Sequence, residues 1–282
     1  MKKRIGVLSI FTIVILIIIS VTGILSLDFS KSYEITNQFG DVVQIYGSGI
    51  YKFDSYFRAA IFIGTDVTIL FVLVPLFIWT YWQNYKKSTN KTKLKLMSVY
   101  AVAFYYAANI SLGVAYNQYH LLYIALFTCT LFGIFATMRE IKIEELNYKS
   151  TKGISIFLIM SGIALIAAWM PDIIPSIFSG TSLSLIEVYT TEITYVLDMG
   201  IIGPLCLVCL YLLKKNDKIG IVILASLLKA CIIVGIMMIT QTACQLLSGY
   251  DVTLPVLIIK SGSFVLLGGF AFYFNKKLYD RV

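Results

Sequence analysis

Tyr46–Pro75 reads YGSGIYKFDSYFRAAIFIGTDVTILFVLVP. It opens as a polar loop broken by Gly47 and Gly49 and closes inside an apolar run that ends on Pro75. Lys52, Asp54 and Arg58 fall in the polar part, but Asp66 falls among apolar residues on both sides. The apolar run continues to Trp82, long enough for a helix of ~20 residues to cross a bilayer. Trp79, Tyr81 and Trp82 at its end form an aromatic belt of the kind found at a membrane boundary. Phe62–Trp82 therefore reads as a membrane span, and Ser55–Ile61 either extends it outward or lies in the interface.

The whole chain fits that reading. Of its 282 residues 59% are hydrophobic and 13% charged, with a mean hydropathy of +0.85. A soluble domain is about half apolar and a quarter charged. So little charge cannot coat a water-soluble globule, and the bilayer must be the solvent. The net charge of +8 does not point to nucleic acid, because the cations sit in short clusters between apolar runs.

Seven further runs have the length of a span: Ile5–Leu27, Leu96–Tyr116, Leu121–Met138, Ile154–Met170, Ile193–Leu213, Ile219–Thr240 and Leu254–Phe274. The first follows a basic Met1–Arg4. It is too long for a signal peptide and lacks an A-x-A-like site after it, so it reads as an uncleaved span. Asn117–His120 is so short that its flanking spans must form an antiparallel hairpin. Asp28–Arg58 is the longest polar segment. Within it Gly40–Tyr51 is β-prone, and Gly47 and Gly49 allow a turn or positive φ. Pro171–Thr191 and Gln241–Thr253 read as loops without a cation.

Counting charge on this scheme fixes the orientation. Eighteen of the 23 Lys and Arg fall at the two ends of the chain and in alternate loops, three fall on the other side (Lys31, Lys52, Arg58), and Lys229 and Lys260 are intramembrane. That bias places both termini in the cytoplasm. The expected fold is an all-α, polytopic bundle of eight transmembrane helices, one integral membrane domain over residues 1–282. A weak echo suggests a 4+4 duplication. Spans two and six each carry an Asp and then a deeper Pro, Asp66 with Pro75 and Asp198 with Pro204.

The four intramembrane charges are the functional candidates. At 1.5 Å per residue, Asp66 lies ~6 Å, Asp198 ~8 Å, Lys260 ~9 Å and Lys229 ~15 Å below the outer boundary. With Asn109 and Tyr105 on span three, and Glu192 at the mouth of span six, they outline a candidate polar cavity: Asp66, Asp198, Lys260, Lys229 and Asn109. An ionisable group at such depth faces a partner or a wet cavity. Two readings stand side by side. Asp198 and Lys260 form a neutralising pair that fixes helix packing, with Lys229 snorkelling or bonded to carbonyls; or the charges line a cavity for a solute.

Other chemistry is excluded or unsupported. Cys129, Cys206, Cys209, Cys231 and Cys244 lie in or beside apolar runs, and the Cys206-x-x-Cys209 pair reads as small apolar filler. A single histidine, His120, excludes a bis-His haem or a His-rich zinc site and reads as a solvated helix end. No G-x-S-x-G, H-E-x-x-H, Walker A or S4-type arginine run is present. Gly47-x-Gly49 lacks the context of a phosphate loop. Tyr46, Tyr51, Tyr56, Tyr105, Tyr116, Tyr119 and Tyr123 read as interface anchors. No catalytic, cofactor or metal residue is assigned.

Tyr46, Gly47, Gly49, Tyr51, Asp54 and Ser55, then Gly64, Asp66, Leu70 and Pro75, together resemble the signature of a family of multi-span bacterial and archaeal membrane proteins. Asp198-Met-Gly-x-x-Gly-Pro204 is a second match. The resemblance implies a prokaryotic plasma-membrane protein and no chemistry. Three functions are therefore kept open: binding or transport of a small polar or charged solute through an outward-facing cavity; an intramembrane enzyme acting on a lipid-linked substrate with Asp66 or Asp198 as base; or an accessory subunit whose loop Asp28–Arg58 docks a protein partner.

Overall fold

The computed structural model describes residues 2–183, 185–249 and 261–282, and side chains from Ile5 onward. Helix α1 (Lys2–Leu25) leads into a two-stranded antiparallel hairpin, β1 (Tyr33–Thr36) and β2 (Val42–Ile45), then a single 3-10 turn at Gly49–Tyr51. Span two is one helical run made of three pieces: α2 (Tyr56–Thr68), a π-helical turn (Ile69–Leu73) and α3 (Val74–Lys86). Then come α4 (Asn90–Gly113), α5 (His120–Met138), α6 (Lys152–Ala167) and α7 (Met170–Ser179). Span six repeats the three-piece construction: α8 (Ile193–Leu197), a π turn (Asp198–Ile202) and α9 (Gly203–Lys214). It is followed by α10 (Ile219–Leu247) and α11 (Ser263–Arg281).

Among the described residues the chain is thus an all-helical bundle with one small hairpin. Among the described residues seven helices are long and apolar enough to cross a membrane. The expected eighth span begins in residues 251–260, outside the described residues, and its continuation is α11.

Local chemistry sets the helix starts. Ser55 caps α2 by accepting from the Arg58 amide, Thr89 and Thr92 form a capping box on α4, and Thr151 caps α6. Gly180 takes φ 67° and ends α7 in the left-handed conformation. Both π turns end two residues before a proline, Pro75 or Pro204, which lacks the N–H an α-helix would use there.

Helix α10 is the axis of the packing and touches α2, α4, α9 and α11. One core gathers α1, span two, α4 and α5 with Ile233 and Met237 of α10; a second gathers α6, α9, α10, α11 and the start of α4. Alternate loops fall at opposite ends. Asn37 and Gln38 of the hairpin bond the 187 and 189 carbonyls, Asp54 bonds the Ala115 amide, and Tyr56 bonds the Ser248 carbonyl, so these segments share one end. Lys93, Lys142 and Lys218 join the 83–95, 139–152 and 214–218 segments at the other.

Several boundaries differ from the sequence reading. Pro171–Thr191 is not all loop, because Met170–Ser179 is helical: a proline in the first turn of a helix breaks no hydrogen bond. Span seven runs on to Leu247, since Gln241–Leu247 contains no breaker. The final helix likewise continues past Phe274 to Arg281.

Close helix crossings rest on glycine. A Cβ at Gly64 would stand 2.5 Å from the Gln241 Cα and 2.6 Å from the Thr240 carbonyl oxygen. That approach lets Gln241 reach the Thr65 hydroxyl at 2.8 Å and Thr68 reach Thr240 at 2.7 Å. Gly64→Ala must push α2 off α10 and is expected to lose ~1–3 kcal/mol, the usual cost of overpacking. Gly269→Ala, where a Cβ meets open space, should be neutral. Thermal unfolding of both variants in detergent checks the pair.

Candidate functional site

Asp66 is wholly buried on α2, one turn before the first π turn. Its Oδ1 accepts from the Tyr106 hydroxyl at 2.6 Å and its Oδ2 from the Tyr51 hydroxyl at 2.5 Å. Gly23 of α1 faces the same carboxylate, and any side chain there would overlap it. Tyr51 arrives by way of the glycines before it. Gly49 has φ 58°, and Ser26 packs so closely on it that a Cβ has no room. The Ser26 hydroxyl in turn accepts from the Ile50 amide. The polar loop is therefore a device for delivering one tyrosine hydroxyl to one buried carboxylate.

Asp198 opens the second π turn and is only 5% exposed. Tyr105 donates to its Oδ1 at 2.8 Å and the Trp169 indole N–H to its Oδ2 at 3.2 Å. Trp169 stacks on Tyr195, whose hydroxyl donates to Asp172 at 2.7 Å. Unlike Asp66, Asp198 borders a cavity of about 40 Å³, walled by Leu165, Ile202, Val234, Phe264 and Leu267. Ser161 lines the same cavity, and its buried Oγ has no hydrogen-bond partner. Most buried helical hydroxyls here bond back to a carbonyl one turn earlier, as Ser20, Thr130 and Thr137 do. Ser161 does not, and a buried hydroxyl without a partner costs about 1–3 kcal/mol. A cavity of this size holds a few water-sized groups.

A third polar cluster lies at the hairpin end. Arg58 pairs with Glu192 and stacks on the Tyr189 ring, its guanidinium carbon 4.7 Å from the ring centroid. The Tyr189 hydroxyl donates to Asp54 Oδ1 at 2.8 Å, which also accepts from the Ala115 amide at 2.8 Å. The Ser55 hydroxyl donates to Glu187, a residue at φ 51°. These bonds clasp together the hairpin loop, the α4–α5 turn and the 187–192 segment. Asp54 Oδ2 and Arg58 Nε are buried in it without partners. Among the described residues no group of three His, Cys, Asp or Glu side chains is set to hold a metal. Burial pushes the Asp54 carboxyl up to about 7, against the pull of the Ala115 amide, Tyr189 and Arg58; burial also raises Glu187.

The sequence candidates are thus distributed over several places. Tyr105 joins Asp198, and Asn109 sits one turn away, accepting from Thr194 at 3.1 Å and donating to the Tyr105 carbonyl. Glu192 belongs to the clasp. Lys229 is 9% exposed, and its charged neighbour is Lys95; it is not among the residues lining the Asp198 cavity, although Ala230 and Cys231 are. Lys260, and with it the expected Asp198–Lys260 contact, lies outside the described residues. Tyr46, Tyr51 and Tyr123 are at most 1% exposed, so they are interior hydrogen-bonding groups rather than interface anchors; Tyr116, at 76%, remains exposed. Sequence reasoning read Tyr51 as an interface anchor and passed over Tyr106, Trp169, Ser161 and Tyr189. The adjacent pair Tyr105–Tyr106, in a span already holding Asn109, is the one signal that pointed to them.

The clasp predicts a pH response of definite sign. A carboxyl whose folded pKa lies above its unfolded 3.8 stabilises the fold below about 4 and loses that contribution as pH rises through about 7. Between about pH 4 and 7 the protein should therefore lose stability, with a ceiling near ~4 kcal/mol for a three-unit shift. Asp54→Asn, which stands in for the protonated acid, should flatten the slope in thermal unfolding. An unchanged slope would assign the response to another group.

No family model, curated protein or solved structure matches this chain.

Proposed function

We propose that the chain crosses the membrane eight times with both ends cytoplasmic, and that it binds and moves a small polar or charged solute at Asp198. The carrying observation is Asp198 itself: an intramembrane carboxylate, bonded by Tyr105 and Trp169, beside a cavity that also holds the partnerless Ser161 hydroxyl. A carboxylate at such depth is costly, and its usual use is a solute or proton path. The π turn and Pro204 beside it loosen the helix where a pathway uses freed carbonyls. Ligand pockets for larger solutes run to about 300–1,000 Å³. At about 40 Å³ this cavity suits water-sized solutes, and anything larger enters only as α6 and α11 part.

The counter-charge in this reading is Lys260, at similar depth on span eight. Asp198→Asn alone is expected to lower the unfolding temperature, and Asp198→Asn with Lys260→Met to recover much of it, because lone buried charges cost ~3–5 kcal/mol. In proteoliposomes, uptake of protons, Na⁺ and a panel of small amino acids should fall in the double variant while the fold holds. Equal uptake with wild type across the panel removes Asp198 from the mechanism.

The alternate loops that share one end support the eight-span scheme, and the Lys/Arg bias supports its orientation. A cysteine at position 35 should react with an impermeant maleimide from outside intact cells, and one at position 90 only after permeabilisation. Labelling of both from one side breaks the scheme. A second reading, an intramembrane enzyme on a lipid-linked substrate, draws support from the apolar walls of the same cavity. In it Asp198 is the base, since its carboxylate borders the cavity, whereas Asp66 is sealed by Gly23 and Tyr51.

A further inference from the structure

Helix α7 is amphipathic in the wrong sense for water. Asp172 bonds Tyr195 of span six, while Ser176 and Ser179 bond Thr181 in the turn that follows the helix. Its apolar residues face out, Ile174 at 40% exposure, Ile177 at 70% and Phe178 at 88%. A surface helix in water shows the reverse arrangement.

Two observations identify what covers this face. The first is continuity. Ile156, Ile159, Met160 and Ile163 are the exposed large apolar residues of α6 and mark its outward stripe. At the same i, i+3, i+4 spacing the stripe runs on through Met170 and Ile174 to Ile177 and Phe178. Helix α6 belongs to a membrane-crossing run that reaches Ser179. The second is depth. The Trp169–Asp198 and Asp172–Tyr195 bonds tie the first turn of α7 to the first turns of span six. Counted from Ile193 at 1.5 Å per residue, Asp198 lies ~8 Å and Tyr195 ~3 Å inside the apolar layer, so α7 starts within it. Nor does Pro171–Thr191 carry a cation that would seek anionic headgroups.

We propose that α7 is a lipid-contacting helix whose outward face, Ile174, Ile177 and Phe178, is covered by acyl chains of the leaflet at the hairpin end, and that through Trp169 it holds Asp198 closed. The helix is tied to span six by the Trp169 and Tyr195 bonds and packs on α6. Lipid on one side and two hydrogen bonds on the other therefore set its position. Displacing it removes the indole donor from Asp198 Oδ2 and uncovers that oxygen. This inference does not depend on what solute Asp198 takes.

Nitroxide labels at positions 176, 177 and 178, read in lipid nanodiscs, test the contact. Labels at 177 and 178 should be relaxed far more by oxygen than by a water-soluble nickel chelate, and the label at 176 less so. Preferential relaxation by the chelate, or spin–spin broadening that shows a second copy covering the face, overturns it. The coupling is tested separately with the double variant Ile177→Asp, Phe178→Asp. Labelling of Asp198 by dicyclohexylcarbodiimide, followed by mass spectrometry, should rise several-fold while Asp66 labelling stays at the wild-type level. A rise at both carboxyls would mean general loosening, and no rise at Asp198 would mean that α7 does not guard it; either result overturns the coupling.

Discussion

Two carboxylates in an apolar bundle need donors, and adjacent residues of a single helix supply both. Tyr105 and Tyr106 differ by about 100° around α4, so one hydroxyl reaches Asp198 on span six and the other reaches Asp66 on span two. An ionised carboxylate in a low-dielectric interior costs several kcal/mol unless donors surround it. Moving α4 by one residue would strip a donor from each site at once. Its register is therefore held from both sides, and the rest of the bundle packs around that constraint. Helix α10 fills the space between the two halves, and glycines at 64 and 235 let its neighbours close in on it.

The two sites share a construction and differ in access. Each lies beside a π turn that precedes a proline. A π turn adds one residue to the helix just before the proline, which lacks the N–H an α-helix would use. Asp66 precedes its turn, however, and Asp198 begins its own. Asp66 consequently points into α1 and the polar loop, where Gly23 and Tyr51 seal it. Asp198 points between helices, where Ser161 and the apolar walls leave a gap. A shift of one turn along similar helices separates a structural carboxylate from an accessible one.

The sequence carried the helices well, because ~20-residue apolar runs are hard to misread. It also marked Asp66 and Asp198 by depth alone. What escaped it was identity of partner. Among the described residues both carboxylates accept from neutral hydroxyl and indole groups, and tyrosines at the ends of spans look like belt residues until the loop is seen to fold inward. The clasp was illegible for another reason. The pair Asp54 and Arg58 is separated from the pair Tyr189 and Glu192 by a long stretch of chain, 135 residues between Asp54 and Tyr189, and no local pattern links the two pairs. Helix α7 was masked by its own prolines, which suggest a loop although one sits where a helix tolerates it.

The clasp has a consequence for synthesis. Asp54 and Tyr189 are separated by 135 residues. At roughly 5–20 residues per second, the second half of the clasp follows the first by on the order of ten seconds. For that interval Arg58 stands at a span mouth with no Glu192 to neutralise it, and Asp54 lacks its tyrosine. The first four spans must therefore insert and wait as an open assembly, and the polar loop folds down over Asp66 before the groups that lock it have been made. The order of translation thus leaves the clasp open until the 187–192 segment has been made.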